Sequence, residues 1–197
     1  MERSPPRGGR CVIRIGVPKE ARPGEKRVAA TPESTSKLRE MGLEIAVERG
    51  AGRDAGYADE AYVEAGATLV EDAETIFATS DLVLKVRPPT EREASTLRDG
   101  TILVSLLQPE RHEELPKILA ERRVSAIALE RIPRITRAQK MDVLSSQANL
   151  AGYRAVVEAA AHFEGFFGPQ VTAAGATRPA RVLVIGAGVA GLAAIGA

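Results

Sequence analysis

Short apolar runs alternate with amphipathic stretches from residue 12 onward. Apolar and β-branched residues cluster at 12–17, 43–47, 68–70, 82–86, 102–106 and 124–129, each run short enough for a strand buried on both faces. Helical patterns fall between them, at 32–41, 59–65, 73–78, 90–98 and 109–123. Thr31-Pro32-Glu33 reads as a helix start, with a cap, a proline at the first position and an acid in the first turn, and Gly42 stops that helix. Thr90 to Glu93 matches a capping box. Pro116 predicts a bend or split in the last helical stretch. Strands alternating with helices predict an α/β fold, a doubly wound parallel sheet covered by helices on both faces.

The pattern changes at residues 134–160, R-I-T-R-A-Q-K-M-D-V-L-S-S-Q-A-N-L-A-G-Y-R-A-V-V-E-A-A. Its first half is crowded with side-chain donors and acceptors. Its second half is Ala-rich and strongly helix-forming. Residues 163–180 hold several glycines and prolines and read as an ordered linker with room for a short hairpin. Residues 182–185 predict a fresh strand opening into Gly186-Ala187-Gly188-Val189-Ala190-Gly191. This order divides the chain into a tail at 1–11, a first domain at 12–144, a connecting helix and linker at 145–180, and the start of a Rossmann-type domain at 181–197. One strand and a helix start cannot bury a sheet, so the chain reads as a fragment of a longer protein.

Composition narrows the function. Lys and Arg number 27 against 26 Asp and Glu, leaving no basic excess to neutralise nucleic-acid phosphates. A single cysteine, Cys11, excludes an intramolecular disulfide. His112 and His162 have no Cys partners at metal-ligand spacing and read as structural or exposed. The tail is basic and rich in Pro and Gly, lacks the apolar core of a signal peptide, and is expected to be disordered. The uncharged run 182–197 is 16 residues long and broken by glycines, too short for a membrane span.

Two constellations carry candidate chemistry. The G-x-G-x-x-G run after a strand suits a dinucleotide pyrophosphate. Gly186 allows the tight turn, Gly188 the close backbone approach and Gly191 the packing of helix on strand. The bland reading is a tight turn with no ligand. Arg134, Gln139, Asp142 and Ser145 are spaced 5, 3 and 3, and the last three share a face if helical. Gln suits a carboxamide; Asp and Ser suit ribose hydroxyls. The same residues serve equally as a solvated helix start capped by Asp142 or Ser145. Arg27 and Lys85 lie in the first long loop and at a strand end, where α/β folds place ligands, although each alone reads as a solvated charge. Tyr153 reads as a packing residue.

Taken together, R-I-G-V-P-K-E, K-R-V-A-A-T-P, D-L-V-L-K-V, R-A-Q-K-M-D-V-L-S-S-Q-A-N-L-A-G-Y-R-A-V and V-L-V-I-G-A-G-V-A-G-L-A-A-I-G-A resemble the alanine dehydrogenase and proton-translocating transhydrogenase superfamily. The likeness is closest to the NAD(H)-binding domain of the transhydrogenase alpha subunit. It implies that Arg134, Gln139, Lys140, Met141, Asp142 and Ser145 surround the nicotinamide and its ribose, and that Gly186, Gly188, Val189 and Gly191 hold the rest of NAD(H). Lys140 stands where relatives carry a smaller residue. The resemblance further implies NADP(H) on a partner domain, a membrane domain in the same enzyme, a homodimer, and a peripheral position on the cytoplasmic side of the inner membrane. Arg27 and Lys85 match residues that hold the substrate in alanine dehydrogenases. Those enzymes also need a catalytic histidine after the Thr90 helix, and no histidine occurs between Thr101 and Gln108. The alternatives are an alanine dehydrogenase-like amino-acid oxidoreductase and a non-catalytic fragment.

Overall fold

The computed structural model describes residues 12–197, so the tail and Cys11 lie outside the described residues. The chain divides into two compact units between Arg131 and Ile132.

The first unit opens with β1 (Arg14–Val17), followed by α1 (Pro32–Glu40), β2 (Glu44–Glu48), α2 (Asp59–Glu64), β3 (Thr68–Val70), α3 (Ala73–Thr79) and β4 (Leu82–Leu84). It continues with α4 (Glu91–Thr96), β5 (Ile102–Ser105), α5 (Leu115–Glu121) and β6 (Ser125–Ala128). The six strands form one sheet in the order β3-β2-β1-β4-β5-β6, and every pairing is parallel. The chain winds outward from β1 to β3, then returns to place β4 beside β1, so the strand order reverses between them. In open α/β sheets ligands gather in the crevice outside the strand ends at such a reversal. The α/β fold expected from the alternating pattern is therefore present.

Local chemistry sets the helix ends. Thr31 caps α1 and accepts from Ser34 N at 3.2 Å, while Ser34 Oγ accepts from Thr31 N at 2.8 Å. Here serine fills the third position of a capping box, a role more often taken by Glu or Gln. Thr90 and Glu93 close the expected box on α4. Residues 109–123 split as expected, but not at Pro116. A 3-10 turn covers Pro109–Arg111 and α5 starts at Leu115. Pro116 lies in the first turn of α5, where its missing N–H breaks no helical bond.

Alternate residues of β1 serve the two faces. Ile15 and Val17 join Ile45, Val47 and Tyr62 in one apolar cluster. Gly16 faces the other way, and a Cβ there would overlap Ser80 Oγ and Ile76 Cγ2 of the α3 segment. A second cluster gathers Phe77, Val83, Leu97, Leu103, Leu115 and Leu119. Tyr62 is fully buried and donates its hydroxyl to Ala30 O at 2.9 Å. Burial pushes this phenol up to about 12.

The second unit contains a 3-10 turn (Thr136–Met141), the long helix α6 (Val143–His162), an antiparallel hairpin of β7 (Gln170–Thr172) and β8 (Gly175–Thr177), and α7 (Val189–Gly196). The hairpin fills the room left for one in the linker. Residues 182–185 do not form the expected strand. A strand needs a neighbour to take its backbone hydrogen bonds, and none pairs with this segment among the described residues. Leu183 and Ile185 are accordingly exposed. Tyr153, expected to pack, is 58% exposed on α6. Gly152 of α6 meets Ala190 of α7, and a Cβ at Gly152 would overlap the Ala190 backbone. Among the described residues no helix is long and apolar enough to cross a membrane.

Replacing Tyr62 with Phe keeps the ring but leaves the Ala30 carbonyl without its donor. The substitution should lower stability by about 1–3 kcal/mol, read as a reduced midpoint in urea unfolding.

Candidate functional site

In the second unit the 3-10 turn ends at Asp142, whose side chain caps α6. It accepts from Ser145 N at 2.9 Å and from Ser145 Oγ at 2.6 Å. These hydrogen bonds, with Arg134 nearby, hold the Asp142 carboxyl below its usual range. Ser145 opens onto a cleft of about 440 Å³ lined by Arg134, Leu144 and Ala148 on one side and by residues of the glycine turn on the other. Gly186 has φ +111, a conformation that L side chains rarely adopt. A Cβ on Gly191 would overlap Gly186 O, so the turn closes on the start of α7 only because glycine stands there. No side chain caps α7. Its first-turn N–H groups thus present donors and positive potential.

Six of the ten residues proposed for the cofactor therefore share one cleft: Arg134, Ser145, Gly186, Gly188, Val189 and Gly191. Gln139, Lys140 and Met141 are exposed on the 3-10 turn and do not line it. Asp142 does not line it either. The expected common helical face for Gln139, Asp142 and Ser145 does not form, because the helix begins only after Asp142. Sequence reasoning missed Leu144, Ala148, Ile185 and Ala190. Ala148 was legible from its spacing of three beyond Ser145, which puts both on one helix face.

A larger cleft of about 880 Å³ lies in the first unit, at the carboxyl ends of β1, β4 and β5. Lys85 sits on its inner wall, 2% exposed. Its ammonium pairs with Glu93 at 3.0 Å and Glu20 at 3.8 Å. Glu20 also accepts from Val86 N at 2.6 Å and Arg87 N at 3.2 Å. Gln108, in left-handed backbone with φ +48, and the exposed His112 line the same cleft. Arg27 does not line it. Both Arg27 and Arg87 bond Glu25, each with a closest contact of 2.7 Å. The Arg27 bond is the largest of the effects that hold Glu25 down at about 2. No group of three or more His, Cys, Asp or Glu suited to a metal ion occurs among the described residues.

Comparison with known proteins matches two families across the chain. The family described as alanine dehydrogenase/PNT, N-terminal domain, matches residues 16–151, and alanine dehydrogenase/PNT, C-terminal domain, matches residues 155–197. NAD(P) transhydrogenase subunit alpha of Cereibacter sphaeroides is 50% identical over 93% of this chain and 35% of the relative. NAD(P) transhydrogenase subunit alpha of Haemophilus influenzae is 48% identical over 93% of this chain and 35% of the relative. The crystal structure of transhydrogenase from Sinorhizobium meliloti aligns with a TM-score of 0.88 at 43% identity, covering 92% of this chain and 54% of that one. The chain thus spans about a third of the length of these two curated relatives.

Glu25 has a depressed folded value, so its stabilising effect is complete above its ordinary 4.5 and fades as pH falls toward about 2. Glu25→Gln should lower stability at pH 7 and flatten the dependence between pH 4.5 and about 2, as measured by urea midpoints across that window.

Proposed function

Because the chain belongs to the alanine dehydrogenase/PNT family, we propose that it is the NAD(H)-binding part of a proton-translocating transhydrogenase. The observation that carries this reading is the single cleft uniting Arg134 and Ser145 with the turn at Gly186, Gly188 and Gly191. The names of the relatives, transhydrogenase alpha subunits, support it. NADP(H) is held by a partner domain, and a membrane domain carries the proton step. The chain works as a homodimer, peripheral on the cytoplasmic side of the inner membrane.

The residues present fit a dinucleotide. A Cβ at Gly191 would fill the space where the turn closes, and the uncapped α7 N-terminus leaves N–H donors for a pyrophosphate. Arg134 offers a guanidinium to an anionic or carbonyl oxygen, and Ser145 a hydroxyl to the ribose. Gln139, on the 3-10 turn before the helix cap, supplies a donor and an acceptor suited to a carboxamide. Arg27 and Lys85 are the remnant of a substrate pocket. When bound, the nicotinamide ring itself supplies the hydride chemistry. The chain's residues bind and orient; they need not take or give a proton.

The competing reading is an alanine dehydrogenase-like oxidoreductase, with its substrate in the first-unit cleft. Its one structural support is that His112 lines the same cleft as Lys85. The Lys85 ammonium, however, already pairs with Glu20 and Glu93. Direct hydride transfer from NADH to an NADP⁺ analogue in the assembled enzyme tests the proposal. Alanine-dependent reduction of NAD without such transfer would overturn it.

Gly191→Ala should weaken NADH binding by about tenfold or more, because the turn must open to admit the methyl. Equilibrium binding by fluorescence measures it. Gln139→Leu should slow hydride transfer by roughly a hundredfold while reducing affinity by about tenfold at most per lost hydrogen bond. Transient-state transfer at saturating NADH, set beside equilibrium binding, separates the two effects.

A further inference from the structure

Ser145, Ala148 and Gly152 follow one another at spacings of three and four, so they share one face of α6. Ser145 and Ala148 line the second-unit cleft. Gly152 does not line it and is the residue of α6 that is buried. It abuts Ala190 of α7, which does line the cleft. The two helices therefore touch at Gly152, and the cleft lies along the same face toward Ser145.

A Cβ at Gly152 would stand 2.0 Å from Ala190 O and 2.8 Å from Ala190 C. Both atoms are backbone, so no rotamer change relieves the overlap. The helices would have to part by about 1 Å or more to restore ordinary contact. Bending the twenty-residue α6 would disturb its own hydrogen bonds, so the eight-residue α7 yields. The glycine turn travels with it. Gly186 O lies so close to Gly191 that a Cβ there would stand 1.9 Å away, and Leu192 N donates to Gly188 O at 2.9 Å, which ties turn to helix.

We propose that Gly152 is a positioning residue that sets the span of the second-unit cleft, the distance a ligand must bridge to touch both α6 and the glycine turn. It touches no ligand and acts through the Ala190 backbone. The inference rests on the dinucleotide reading of this cleft. It adds a condition on length: a ligand that bridges the two elements feels Gly152, and one held by the turn alone does not.

Two ligands read the span. NADH carries a diphosphate and a nicotinamide nucleoside, and on this reading it reaches from the turn to α6. ADP carries the diphosphate without the nicotinamide nucleoside. Equilibrium binding of both is measured on the full-length protein and on its Gly152→Ala, Gly191→Ala and Gly196→Ala variants, with thermal melting alongside. Alanine is the better helix former, which offsets part of the overpacking and keeps Gly152→Ala folded. This variant should bind NADH about tenfold or more weakly and ADP as the parent does. Gly191→Ala opens the turn itself and should weaken both. Gly196→Ala, also on α7, adds a Cβ that meets nothing within 4 Å and should change neither. In the assembled enzyme, Gly152→Ala should also slow hydride transfer at saturating NADH by roughly tenfold or more, because the ring is misplaced.

Equal losses for NADH and ADP in Gly152→Ala would overturn the inference, as would unchanged NADH binding. A Gly152→Ala variant that binds neither ligand and shows no cooperative melting would overturn it too, making Gly152 a residue of the fold alone. A parent that binds no NADH would remove the cofactor reading itself, and this inference with it.

Discussion

Close approach of one element to another, allowed by a missing Cβ, is the constraint on which this structure depends. At Gly16 it lets α3 close on β1 in the centre of the first sheet. At Gly152 it lets α6 meet α7, and at Gly191 it lets the turn fold against its own helix. A methyl at any of these places would hold two elements apart. The consequence differs by unit: in the first it sets how tightly the core is filled. In the second it brings Ser145, carried by α6, to the glycine turn carried by α7.

A second theme is the use of carboxylates to hold loops at the carboxyl ends of the strands in the first unit. Glu20 receives the backbone of Val86 and Arg87, and Glu130 that of Leu107 and Gln108. Glu25 lies between two arginines. Loop backbone beyond a strand end has no ladder partner, so side chains must satisfy it. Acidic residues that look like a solvated face in the sequence are here hydrogen-bonded acceptors. This is why the crevice keeps a defined shape.

Much of the fold was legible because its signals are local. Thr31-Pro32 and the Thr90–Glu93 box start helices through contacts within four residues. The apolar runs mark strands because a parallel sheet is buried on both faces. What could not be read depended on partners distant in sequence. The segment at 182–185 has strand composition, but pairing is a property of two segments and not of one. The spacing of Gln139, Asp142 and Ser145 suggested a shared face, yet Asp142 ends one helical segment and caps the next, so the face is broken there. Of the two roles weighed for Asp142, the two hydrogen bonds to Ser145 are those of the cap. The cleft itself needed the Gly152–Ala190 contact, which no motif announces.

The trio of buried Glu20 and Lys85 with partly buried Glu93 constrains how such a chain can change over time. Removing one member of a buried ion group leaves an uncompensated charge, whereas replacing the whole group with apolar residues of similar volume can be neutral. Lys85 is nearly inaccessible and flanked by both carboxylates. The three positions are therefore coupled: a viable route of substitution alters them together or leaves all three in place. Related chains that repurpose the first-unit cleft should show these positions varying as a set, while the exposed ion pairs on α1 and α5 drift one residue at a time.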